Sequence, residues 1–125
     1  MKEAATMPRV RDRFWLWAHE AGTQNDRWGI SGHSRISPVE ACHYIGIPNV
    51  IMVRNPVRPI PADPQFAVPF RSLHQMVWAI TGPEGLHSDA ETASAFIQAE
   101  RLPIMTPVMM DDFFLKRSPS AIVCA

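Results

Sequence analysis

The chain has 125 residues, 46% hydrophobic and 19% charged, with twelve Lys+Arg against twelve Asp+Glu. This is the size and make-up of one globular domain with a substantial core, and its scattered cations (Arg9, Arg11 and Arg13; Arg54 and Arg58; Lys116 and Arg117) form no basic stripe of the kind nucleic-acid binders carry. Two isolated cysteines, Cys42 and Cys124, exclude a disulfide framework; residues 1–13 hold no secretory apolar segment, and no apolar run nears the roughly 20 residues of a membrane span, so a soluble, cytoplasmic protein is expected.

Phe14-Trp15-Leu16-Trp17-Ala18 is a short aromatic apolar run, expected as a buried strand that ends in His19-Glu20. The polar, glycine-bearing stretch from Gly22 to Ile36 predicts a long loop, a length often associated with function. Ser37-Pro38-Val39-Glu40 has the pattern of a capping box with proline at the first helical position. The helix should run to Ile45, with Gly46 as its left-handed cap and Cys42 a small buried hydrophobe.

Val50-Ile51-Met52-Val53 reads as a second strand ending in Arg54-Asn55. Five prolines between Pro56 and Pro69 predict irregular chain, followed by a short helix within 70–74. Met76-Val77-Trp78-Ala79-Ile80 is the third strand, closed by Thr81-Gly82-Pro83. Ser88-Asp89-Ala90-Glu91 opens a second helix reaching Arg101, whose spacing puts Ala90, Ala93, Phe96 and Ile97 on one apolar face. The run from Ile104 to Met110 is the fourth strand, with Pro107 an objection to a central position, and it ends in Asp111-Asp112.

Strand starts near Phe14, Val50, Met76 and Ile104 recur at about the 30 residues of one βα unit, and the strands lack in–out alternation. The fold class is therefore α/β: four consecutive βα units with a parallel sheet, about half of a (β/α)₈ barrel. Residues 1–12 form an extension, 13–117 the half-barrel domain and 118–125 a tail. A four-stranded open sheet leaves two edges unpaired, so the expectation is a homo-oligomer, a complementing chain, or a truncated product.

In parallel α/β folds ligands bind at the carboxyl ends of the strands. That rule selects His19, Glu20, Arg54, Asn55, Trp78, Thr81, Asp111 and Asp112. Carboxylates, a cation, an amide and an aromatic face together suit a polyhydroxylated ligand. Asp111 is the leading catalytic carboxylate, with Glu20 and Asp112 as partners; His19, Arg54, Asn55 and Thr81 bind substrate and Trp78 offers a stacking face. No cofactor is expected, although Asp111, Asp112 and His19 suit a divalent cation. His33, His43, His74 and His87 have no zinc spacing, and GxSxG, GxGxxG and Walker patterns are missing.

The phrases Phe14-Trp15-Leu16-Trp17-Ala18-His19-Glu20-Ala21-Gly22, Arg35-Ile36-Ser37-Pro38-Val39-Glu40-Ala41, Gly46-Ile47-Pro48-Asn49 and Met109-Met110-Asp111-Asp112-Phe113-Phe114 resemble the first half of poorly characterised barrel proteins related to glycoside hydrolases. The resemblance implies a sugar-binding cleft at the barrel mouth and an acidic residue after strand four. Phe113-Phe114 stand where chitinase-like barrels continue to a glutamate. Three functions follow as expectations: a carbohydrate-active, glycoside-hydrolase-like protein; a non-catalytic sugar-binding or assembly-dependent truncated barrel; or a metal-dependent lyase or isomerase.

Overall fold

A computed structural model describes residues 7–53, 64–81 and 89–110. Four strands, β1 (Trp15–Ala18), β2 (Asn49–Met52), β3 (Gln75–Ala79) and β4 (Met105–Met109), form one parallel sheet in the order β1-β2-β3-β4. Among the described residues three α-helices lie between them: α1 (Pro38–Ile45), the single turn α2 (Pro64–Ala67) and α3 (Asp89–Arg101). A 3₁₀ turn, Val10–Arg13, precedes β1, and another, Val68–Ser72, continues α2. None of these helices is long and apolar enough to cross a membrane.

The helix start at Ser37 forms as its sequence dictates. Ser37 Oγ accepts from Glu40 N–H at 3.2 Å, and Glu40 Oε2 accepts from Ser37 N–H at 2.8 Å. Gly46, at φ 72°, ends α1 in the left-handed region, its N–H donating to the Cys42 carbonyl. The hydrogen bonds from Ser37, backbone first and then hydroxyl, hold the Glu40 carboxyl below its ordinary 4.5. Its folded value lies below the unfolded one, so its contribution is complete above about pH 4.5 and is lost as the pH falls through the folded value. Ser37→Ala is expected to cost about 1 kcal/mol in urea melts at pH 7, and less at pH 3. An equal loss at both pH values would mean that the Glu40 arm of the box is idle.

Register sorts the strand residues onto two faces. Leu16, Val50 and Met76 lie in one row, Met105 is paired with Met76, and Ala18, Met52 and Trp78 form the next row on the same face. These side chains pack with Val39 and Cys42 of α1, Phe70 and Leu73 around the second 3₁₀ turn, and Ala95 and Leu102 at α3. Cys42 is buried as expected, and burial raises its thiol pKa. The opposite face carries Trp15, Asn49 and Gln75, then Trp17, Ile51 and Val77. Asn49 Nδ2 donates to the carbonyls of Asp12 and Phe14, at 2.8 and 3.0 Å, and ties the first 3₁₀ turn across the N-terminal end of the sheet.

Two expectations are corrected. A helical turn starts at Pro64 inside the proline-rich stretch expected to be irregular, and the turn expected within 70–74 lies at Val68–Ser72. Proline is compatible with a first turn, where its missing N–H has no partner to lose. The second correction is the inward face of α3. Ala95, Gln98 and Leu102 are buried there, while Ala90, Ala93, Phe96 and Ile97 are exposed. One residue is about 100° around a helix, so two apolar stripes compete, and the stripe that continues into Leu102 faces the sheet. Pro107 sits where the pairing of β3 with β4 shifts, on an edge strand among the described residues, which is where a sheet tolerates proline.

Candidate functional site

β1 delivers His19 and Glu20 to the C-terminal end of the sheet, and the chain then makes the long loop expected from its polar sequence. The Glu20 carbonyl accepts from both the N–H and the hydroxyl of Thr23, at 3.2 and 2.7 Å, turning the chain back at once. Further along, the loop is clamped to itself. Ser34 N–H donates to Asn25 Oδ1 at 2.9 Å, Asp26 N–H to the Gly32 carbonyl at 3.3 Å, and Gly32 N–H to Asp26 Oδ1 at 3.1 Å. His33 Nε2 lies 2.8 Å from Asp26 Oδ2. Beyond this neck the tip runs through Arg27, Trp28, Gly29 and Ile30.

The clamp holds two non-glycine residues at positive φ: Asp26 at 56° and Trp28 at 54°. Aspartate tolerates this region, but a bulky aromatic rarely adopts it, and the strain is on the order of 1–2 kcal/mol. Residues kept in such conformations gather at ligand sites, where the surrounding structure over-determines them. The Trp28 indole is 74% exposed, and its centroid lies 5.8 Å from that of the His19 ring, tilted by 38°. Both residues line a cleft of about 440 Å³, together with the polar Glu20, Asn25 and Arg27 and the apolar Ile30 and Ile36.

A search against family models, curated proteins and solved structures found no match for this chain. The site therefore rests on its own geometry.

Of the residues selected from sequence, His19 and Glu20 stand together in this cleft. Trp78 does not. It is only 5% exposed and packs edge-on against Phe66, the ring centroids 6.3 Å apart, so its faces belong to the core and not to a ligand. Thr81 is also buried. Arg54, Asn55, Asp111 and Asp112 lie outside the described residues. The residues that sequence reasoning missed are Asn25, Arg27 and Trp28, whose available signal was an aromatic placed inside a polar, glycine-bearing loop. Among the described residues, no group of three or more His, Cys, Asp or Glu side chains is arranged to hold a metal ion.

A second cleft, of about 280 Å³, lies at the opposite end of the sheet between Arg11, His43, Ser72 and His74. His43 Nε2 stands 3.0 Å from Ser72 Oγ, the contact of a base and a nucleophile. Ser72 Oγ, however, donates its one proton to the Pro69 carbonyl at 2.9 Å, so His43 is the donor in the pair. The contact ties α1 to the second 3₁₀ turn.

Proposed function

We propose that the chain is a carbohydrate-active protein of glycoside-hydrolase type, with its sugar site in the cleft at the C-terminal end of β1. The observation that carries this reading is Trp28, an exposed indole fixed at strained backbone beside a histidine and a carboxylate. Such a ring covers the apolar face of a pyranose, while His19, Glu20 and Asn25 can pair with its hydroxyls. Trp28 takes the stacking role that the sequence suggested for Trp78. The sheet supports a barrel-type frame: its order is sequential, with none of the reversal of a doubly wound sheet, and right-handed crossovers then place the helices on one face. On this reading the domain is half of a (β/α)₈ barrel.

Hydrolysis uses two carboxylates flanking the scissile bond. Glu20 is one. Asp111 is the other, or Asp112, both following Met110 in sequence. Arg54 and Asn55, which follow the β2 strand and Val53, assist in binding. A second reading, sugar binding without turnover, is favoured by one specific feature: Glu20 is the single carboxylate lining the cleft among the described residues.

Calorimetric titration with a panel of mono- and oligosaccharides tests the site. Trp28→Ala is expected to weaken binding by about 5- to 150-fold, since a ring stack is worth on the order of 1–3 kcal/mol. Trp28→Gly accepts the left-handed backbone without strain, so it should lose binding just as fully with a melting temperature unchanged or raised. Unaltered affinity in both variants would remove the indole from the site and this reading with it.

A further inference from the structure

We propose that two copies of this chain close edge to edge into one eight-stranded parallel barrel, with β4 of each copy beside β1 of its partner. The inference rests on the barrel-type reading of the sheet and is independent of the sugar reading. Among the described residues β1 and β4 are the two edges. Neither strand carries a charged residue, and β1 carries no proline either, so β1 lacks the usual guards of a free edge, whereas β4 keeps Pro107 and a register shift. In β1 the Ala18 carbonyl accepts from Val53, so Leu16 and Ala18 turn their backbone groups to β2, while Trp15 and Trp17 turn theirs to the outer edge.

The face opposite the helices is the surface that a barrel encloses. It bears Trp17, 51% exposed, beside the partly exposed Ile51 and Val77. Four strands about 4.8 Å apart and four to five residues long give this face only about 300 Å² in projection, or about 600 Å² for two copies. A stable interface buries about 1,200–2,000 Å². Stacking the two faces alone therefore falls short, whereas barrel closure adds two backbone seams and fills the interior with Trp15, Trp17 and their neighbours. Pro107 has no N–H to offer to a ladder, and it stands where the β4 ladder is already irregular. A two-fold axis along the barrel leaves all eight strands parallel and makes the two seams identical.

Closure also changes the site. Within one chain the ends of β1 and β4 are three strand spacings apart, about 14 Å. Across a seam they are one spacing apart, so the end of β4 adjoins the partner's Glu20.

Sedimentation velocity on the 125-residue protein, joined to amide hydrogen exchange, tests the closure. The expected result is a species of twice the 14.1 kDa chain mass, with slow exchange at the Trp15 and Trp17 amides. Trp17→Lys, and Trp17→Ser should the lysine variant aggregate, is expected to give a monomer with an unchanged circular dichroism spectrum and fast exchange at Trp15. A wild-type monomer at 100 μM would overturn the proposal, as would a dimer whose Trp15 and Trp17 amides exchange freely. Strand-to-strand NOEs in the order β1-β2-β3-β4 in that monomer would leave the barrel-type sheet standing and sink only the closure.

Discussion

Glu20→Gln is expected to lower glycoside turnover by about 10²- to 10⁴-fold, the range lost with a positioned general acid or base, and to leave the melting temperature unmoved. Stability should not change because, among the described residues, the Glu20 carboxylate makes no hydrogen bond or ion pair; the residue's contacts with Thr23 run through its backbone carbonyl. Asp111→Asn should cost as much if it is the second carboxylate. Spacing then decides the stereochemistry. Retaining enzymes hold their carboxyl groups about 5–5.5 Å apart and inverting ones about 6.5–9.5 Å apart. Strand ends about 14 Å apart leave room for the inverting separation within one chain, whereas a seam of one spacing permits either. Chains carrying Glu20→Gln and chains carrying Asp111→Asn, refolded together, would recover about a quarter of wild-type turnover if the pair forms across the seam, because half the dimers are mixed and each holds one intact site of two. An inert mixture would put the pair within one chain, and undiminished turnover in Glu20→Gln would take that residue out of the chemistry.

The second large effect concerns stability. Gln98 is fully buried on the inward face of α3, and among the described residues neither its amide nitrogen nor its amide oxygen has a hydrogen-bond partner. Leaving such a group unsatisfied costs on the order of 1–3 kcal/mol, and an apolar group of similar shape does not bear that cost. Gln98→Leu is therefore expected to stabilise the fold by about 1–3 kcal/mol in denaturant melts. The neighbouring positions sharpen the comparison. Phe96 and Ile97 are exposed on the same helix, so Phe96→Ser and Ile97→Ser should cost far less than a core substitution. Should Gln98→Leu destabilise while Ile97→Ser costs several kcal/mol, α3 would present the other stripe to the sheet, as its sequence spacing alone suggested.

The strands and α1 were legible because their signals are local. An apolar run bounded by polar residues, a capping box at Ser37 and a glycine at position 46 each act within one turn of chain, and they recur where expected. The rotation of α3 was not legible, because its wheel carries two weak apolar stripes and the choice between them depends on what the sheet presents. The turn at Pro64 was hidden by counting prolines without asking which of them stand in a first turn. In the cleft, the positions of His19 and Glu20 followed from a topological rule, the strand end, which needs only the order of elements. Trp28 was missed because its place in the cleft comes from the clamp between Asn25 and Ser34 and between Asp26 and His33, a tertiary closure of eight to ten residues that no periodicity reports. Trp78 was over-read for the opposite reason: a strand position near the right end says nothing about which face the ring takes, and register puts it under the helices.

The four tryptophans, Trp15, Trp17, Trp28 and Trp78, give four indole N–H signals, and following them by NMR during a titration with the tightest-binding saccharide is the most direct test of the sugar cleft. A saturable shift of the Trp28 signal is expected, with the signal of the buried Trp78 unmoved, and with no saturable shift at any of the three remaining indoles in Trp28→Gly protein. No saturable shift at Trp28 with any saccharide of the panel, or a shift confined to the other three, would contradict it.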